Sequence, residues 1–319
     1  MKTVVSLQEL VNAEIRPGRL IEEFRELTGQ AVAALAAGSL AAVPCPCCDG
    51  DASSPAFEKL GLTYRQCDTC GSLFVSPRPS PAALAEYYRS SLPAVFWRER
   101  LLRETLATRR AKLARPRAEW VVDGLTEHLP HAADGIDVSP HGALLIEELR
   151  SRSPALRDVR SAAEALDEVG APASADFVTA FDTLDRVADV AAFVHKVHAA
   201  LRPGGMLFVA APCISGFDLQ VLWDRSPTIL PPDKLNLLSI DGFSRLFRPP
   251  RWNIIELSTP GMFDVENVRQ AIASAPEAGW PRVIRELVGQ RDEHARMELQ
   301  EYLQRHRLAS FARLMVRRD

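Results

Sequence analysis

The chain has 319 residues, of which 47% are hydrophobic and 25% charged, and its formal net charge is −3. That balance fits a globular protein of about two domains with a sizeable core. It excludes a chain pulled onto nucleic acid or membrane by its overall field.

Residues 1–42 read as helices, because Leu7, Leu10 and Val11, then Leu20, Ile21 and Phe24, recur at helical spacing, with a break at Pro17-Gly18. The apolar run 31–43 is too short to span a bilayer and too far in for a signal peptide. A cytoplasmic setting with reduced thiols is therefore expected. Basic residues are mostly Arg and Ala is abundant, which reads as the coding bias of a GC-rich, bacterial genome.

Residues 43–80 hold five of the six cysteines among turn residues and short β-like runs. Pro79-Ser80-Pro81 ends this segment, and 82–88 begins a helix. Residues 81–130 form a helical linker region, with an interruption expected at Pro116. Its basic stripe, which includes Arg98, Arg109 and Arg117, reads as a solvated helix face rather than a nucleic-acid surface, since no aromatic interleaving accompanies it. From residue 131 to 319, short apolar runs alternate with helix-like stretches, the texture of parallel strands with crossover helices. Candidate strands are 135–138, 177–181, 206–211, 253–258 and 311–316.

The cysteines carry the sharpest local signal. Cys45-x2-Cys48 is followed, after eighteen residues, by Cys67-x2-Cys70 and then Gly71. Two such pairs match a tetrahedral four-thiolate zinc site, in which each knuckle turn aims two sulfurs at one ion. Four protein ligands leave no open position, so the zinc is expected to be structural. Cys47 makes a poorer knuckle with Cys45, and Cys213 reads as a small buried hydrophobe.

Several strings resemble a known family. The CxxCG knuckle runs into Ser72-Leu73-Phe74-Val75-Ser76-Pro77-Arg78-Pro79 and then Tyr87-Tyr88, which is similar to the N-terminal module of a bacterial group of class I S-adenosylmethionine-dependent methyltransferases. Asp176-Phe177-Val178-Thr179-Ala180-Phe181-Asp182 resembles their fourth strand and the loop after it. Leu201-Arg202-Pro203-Gly204-Gly205 with 206–211 resembles the following turn and fifth strand. Pro231-Pro232-Asp233-Lys234-Leu235-Asn236 and Ser258-Thr259-Pro260-Gly261 resemble a subgroup with a long insert after strand five. The resemblance implies an α/β, doubly wound Rossmann-like sheet ending in an antiparallel hairpin formed by 253–258 and 311–316. Its first half is incomplete, because too few residues precede Asp176.

The resemblance also implies a cofactor cleft at the carboxyl ends of the strands, where open parallel sheets bind ligands. Asp137, Ser139, Gly142, Phe181 and Asp182 are its candidate S-adenosylmethionine residues. Asp137 ends strand one in the preferred alignment and strand two in the other. The chain departs from the family at the glycine loop, where Ser139-Pro140-His141 replace glycines and Pro140 removes a backbone donor. Weak or absent cofactor binding by the isolated chain is the expectation. Asp185-Arg186 stand where many relatives have Glu-His, and Lys234 stands where the subgroup often has His. No catalytic base is named, and His195 and His198 read as surface residues. Two functions follow: a methyltransferase acting on a small molecule such as a sugar or natural-product intermediate, or a degenerate, non-methylating relative that works with a protein partner or carries other chemistry. A zinc-ribbon nucleic-acid binder is disfavoured by the negative net charge.

Overall fold

The computed structural model describes residues 11–162 and 171–319. The first helix signals hold within that range. Asn12–Ile15 and Gly18–Ala36 are helical on either side of Pro17. The expectations for Leu7 and Leu10 lie outside the described residues.

Short strands follow: β1 (Leu40–Ala41), β2 (Ser53–Lys59), β3 (Leu62–Cys67), β4 (Leu73–Val75) and β5 (Arg78–Pro79). The helix Pro81–Ser90 begins as the sequence predicts, with Pro at its start and the Ser80 hydroxyl accepting from Ala83 N at 3.2 Å. The long helical region does not break at Pro116. It breaks at Thr105, and Pro116, in the helix Arg115–His128, closely follows the π-wound stretch Arg110–Ala114, whose wider winding accommodates the N–H that proline lacks. The π-wound turn Arg110–Ala114 joins this helix to the preceding one.

The α/β half supplies β6 (Asp134–Asp137), β7 (Asp158–Ser161), β8 (Ala175–Phe181), β9 (Leu201–Pro212), β10 (Asn236–Leu237), β11 (Trp252–Ser258) and β12 (Phe311–Arg318). The six-stranded sheet has the order β11-β12-β9-β8-β6-β7. β7, β6, β8 and β9 run parallel, while β12 pairs antiparallel with both β9 and β11. This is a doubly wound Rossmann-like α/β fold ending in an antiparallel pair. Successive side chains of a strand point to opposite faces. Phe177, Phe181, Met206 and Phe208 therefore pack with the helices Arg115–His128 and Ala143–Arg152 on one face. Val178, Ala180, Leu207 and Val209 pack with Val190–Ala200 on the other. Covering on both faces explains the unbroken apolar runs of β8 and β9. Among the described residues no third strand lies beyond β7.

The cysteine segment is not a separate bead. Its sheet has the order β10-β4-β3-β2, so a strand from the insert after β9 completes it. The Asn236 amide donates to Leu184 O at 3.0 Å and to Val187 O at 2.8 Å, and Tyr64 OH donates to Lys234 O at 2.8 Å. These bonds fix the small sheet against the turn that follows β8. No helix among the described residues is long and apolar enough to cross a membrane.

Candidate functional site

Asp137 ends β6, and Asp182 follows β8 on the neighbouring parallel strand. Both stand at the carboxyl edge, yet they face different surroundings. Asp137 is fully buried. Its Oδ1 accepts from Ser139 Oγ and from Thr179 Oγ1, each at 2.6 Å, and Ser139 Oγ in turn accepts from Phe181 N at 3.0 Å. Its Oδ2 has no hydrogen-bond partner and lies against Gly142, where a Cβ would stand 1.4 Å away. Burial pushes the Asp137 carboxyl up to about 6, against the pull of the Ser139 and Thr179 hydrogen bonds. Asp137, Ser139, Gly142 and Phe181 thus form the floor of the edge, locked to one another.

Asp182 is the candidate residue that stays open. Its backbone is left-handed (φ 54°), and its side chain is 42% exposed. Burial alone would raise its carboxyl; Arg117, then Lys234, outweigh that and hold it below the usual carboxylate range. Arg117 donates to Asp182 Oδ2 at 2.9 Å while its guanidinium lies over Phe181, 5.2 Å from the ring centre.

The helical region after residue 96 lies across this edge. Trp97 stacks on His141 at 6.3 Å, and Arg109 sits over Trp97 at 5.4 Å while donating to Ile15 O at 2.7 Å. His141 reaches solvent at its outer side. Its protein surroundings, then Arg186 and Arg109, push its pKa down, so the imidazole is neutral near pH 7. Sequence reasoning treated Arg109 and Arg117 as solvated arginines. Helical periodicity cannot tell a solvent-facing arginine from one facing a cleft, because the pattern is the same until the partner surface is known.

Two ion pairs close the next turn. Lys234 Nζ pairs with the buried Asp185 Oδ2, and Arg186 pairs with Asp233 at 3.1 Å. Asp185-Arg186, past the end of β8, and Asp233-Lys234 of the Pro-Pro segment are thereby crosslinked, and Lys234 is committed to a carboxylate. His195 is exposed on its helix. His198 packs against Trp252 at 5.1 Å. Trp252 pairs with Arg318, and Arg317 with Met206, so this contact lies at the amino end of β9, opposite the cleft. Cys213 is buried, which pushes its thiol up to about 11.

The four predicted zinc ligands converge. The sulfurs of Cys45, Cys48, Cys67 and Cys70 lie within 4.8 Å of one another, with Cys45–Cys70 at 3.5 Å and Cys48–Cys67 at 3.6 Å. A tetrahedron with Zn–S bonds of about 2.3 Å has edges of roughly 3.8 Å. Cys70 is followed by Gly71 at φ 71°, whose N–H donates to Cys67 O at 2.9 Å, and Asp49 N donates to Cys45 O at 3.1 Å. These closures bend each knuckle inward, and the thiol set fits a tetrahedral ion. Cys47 stays outside it, with Sγ 3.3 Å from Ser72 Oγ.

Comparison with known proteins bears on the same region. Residues 102–256 match the family model described as a methyltransferase domain. No curated protein matches the sequence. Among solved structures, the plantazolicin methyltransferase BpumL in complex with SAH shares 9% identity, over 74% of this chain and 94% of its own, at a TM-score of 0.44. An S-adenosylmethionine-dependent methyltransferase from Mesorhizobium loti shares 18%, over 63% of this chain and 87% of its own, at 0.34. SAM-bound CalS10 from Micromonospora echinaspora, an amino pentose methyltransferase, shares 22%, over 34% of this chain and 55% of its own, at 0.29. At these scores the likenesses carry no functional weight.

Proposed function

We propose that this chain is an S-adenosylmethionine-dependent methyltransferase acting on a small molecule, with one structural zinc ion in its ribbon. The match of residues 102–256 to a methyltransferase domain carries the proposal. That span includes β6 to β9 and so the whole carboxyl edge described above. When bound, the cofactor supplies an activated methyl group; the chain's residues supply alignment. Asp182 would accept hydrogen bonds from the cofactor's ammonium or ribose hydroxyls, and Arg117 would face its carboxylate. Trp97 and His141 would exclude water above the turn. Lys234 is committed to Asp185 and would not serve as the base there.

A second function, a non-methylating relative working with a protein partner, is favoured by one observation. Asp137 Oδ1, Ser139 and Gly142 are taken up by contacts with one another and with β8. Calorimetry of the zinc-loaded chain with S-adenosylmethionine and with its demethylated product separates the two. The methyltransferase predicts binding that Asp182→Asn weakens about tenfold, the loss of one charge-assisted hydrogen bond. No binding at about 1 mM ligand, by protein shown to be folded, would overturn it in favour of the second.

A further inference from the structure

β11 ends at Ser258 opposite Arg313, and β12 begins at Phe311 opposite Pro212, the carboxyl end of β9. Residues 259–310 therefore stand on the carboxyl edge of the sheet, the side of the candidate site. They carry the helices Asp264–Ser274 and Glu293–Arg305. Val265, Val268 and Leu303 of these helices share an apolar core with Trp280, Val288 and Leu222. The insert is packed in this way on the helix Phe217–Leu222 that follows β9.

The foot of the insert holds two buried acids. Asp218 and Asp264 are 1% and 0% exposed and lie within hydrogen-bonding reach of each other. Asp218 Oδ2 accepts from Asn267 Nδ2 at 2.6 Å. Asp264 Oδ1 accepts from Ser310 N at 2.7 Å, and its Oδ2 accepts from Gln300 Nε2 at 3.1 Å. Asp218 Oδ1 finds no donor. Two ionised carboxylates this close repel, and burial penalises the charge on each. The other ionisable groups that act on the pair do not relieve it. Arg16 attracts Asp218 from an exposed position without a hydrogen bond to it, and the Cys213 thiol, pushed up to about 11 by burial, stays neutral. Burial, then the Asp218 charge, pushes the Asp264 carboxyl up to about 7, and burial raises Asp218 too. A proton held between the two carboxyls supplies the donor that Asp218 Oδ1 lacks.

The pair is joined to the candidate site on two sides. Asn267 Oδ1 accepts from Asn12 Nδ2 at 3.5 Å, and Asn12 begins the helix whose Ile15 carbonyl is held by Arg109. Ser310 precedes Phe311, whose ring lies 5.7 Å from the guanidinium carbon of Arg117, the partner of Asp182.

We infer that Asp218 and Asp264 share one proton and form a pH-sensitive latch: with the proton they bind the helical insert to the carboxyl edge, and without it they repel each other and loosen that wall of the candidate site. The latch stands on the two acids and their partners and does not depend on the proposed methyltransferase. Folding raises the pKa of the pair, so its contribution is full below the unfolded value near 3.9 and is lost as pH rises through about 7.

Hydrogen exchange of the full zinc-loaded chain tests it, with rates corrected for the intrinsic effect of pH. Raising the pH from about 6 to about 8.5 should lower protection of the helices Asp264–Ser274 and Glu293–Arg305 about tenfold or more, while β8 and β9 change far less. Asp218→Asn puts an amide donor where Oδ1 now lacks one, so it holds the latch without a proton. In that variant the protection of both helices should no longer depend on pH. Circular dichroism checks its fold, and if it does not fold, Asp264→Asn carries the same expectation. A pH-independent insert in the wild type, or the wild-type pH dependence kept in a folded Asn variant, would overturn the latch. Protection restored at the higher pH by magnesium or calcium chloride would also overturn it, by putting a cation where the proton is placed here. A pH-dependent insert in a chain that binds no S-adenosylmethionine would leave the latch standing and remove the methyltransferase.

Discussion

In the two cysteine knuckles, four thiols are turned toward a common point that no protein donor occupies. In the turn after β6, a carboxylate, a hydroxyl and a glycine are also gathered at one point, but there they bond to each other and to β8. The first arrangement fits an ion; the second satisfies itself except at Asp137 Oδ2, which has no partner. The difference lies in chemistry. Thiols are weak hydrogen-bond partners and cannot satisfy one another. A carboxylate oxygen beside two hydroxyls can be satisfied by both at once, as Asp137 Oδ1 is. Convergence of polar groups therefore marks a ligand site only where the groups leave each other unsatisfied.

The comparison breaks most sharply at the zinc. Structural zinc contributes on the order of 10 kcal/mol to folding. Cys67→Ala, or chelation, should unfold the small sheet and loosen β10 and the Pro-Pro segment with it. Elemental analysis should find about one zinc per chain, and hydrogen exchange should show lost protection in β2 to β4. A zinc-free chain with unchanged melting would remove the contrast altogether.

Lys234 is next. Lys234→Met leaves Asp185 buried beside an apolar side chain and should cost about 3–5 kcal/mol in urea unfolding. The double variant Asp185→Asn/Lys234→Met should recover most of that. If Lys234→Met stays within about 1 kcal/mol of the wild type, the pair is not the clamp described here.

The smallest effect concerns the sealed floor. The Asp137 pKa is raised by folding, so its contribution to stability is full below the unfolded value near 3.9 and is lost as pH rises through about 6. The wild type should lose roughly 1–3 kcal/mol between pH 4 and 7 that Asp137→Asn does not lose. Parallel pH profiles for the two proteins would mean that Asp137 is open to water, and the turn would then rejoin the candidate ligand groups.

How much was legible follows from what each signal encodes. The strands now called β8 and β9 were readable because burial on both faces writes a continuous apolar run. β7 was not, since Asp158-Val159-Arg160-Ser161 is an edge strand with only Val159 buried. The break at Thr105 was missed because Pro116 is the louder residue, and the π-wound turn before it accommodates it within the helix. The four thiols were readable as a set because two knuckles of fixed spacing need only local turns. By contrast, Asp137 and Asp182 looked alike in the sequence. Only the packing of Gly142 onto one and of Arg117 onto the other separated a sealed carboxylate from an exposed one.

The closing antiparallel pair was implied by the family resemblance, whereas the sequence by itself determined the apolar strands β8 and β9 and the knuckles. These depend on periodicity and spacing within a few residues of each other. Only the tertiary structure decided that β10 completes the ribbon sheet, that Lys234 meets Asp185, and that Trp97 and Arg109 cover the carboxyl edge. Those partners stand tens of residues apart, and no local propensity encodes which buried charge or unpaired donor will face which neighbour once the chain has closed.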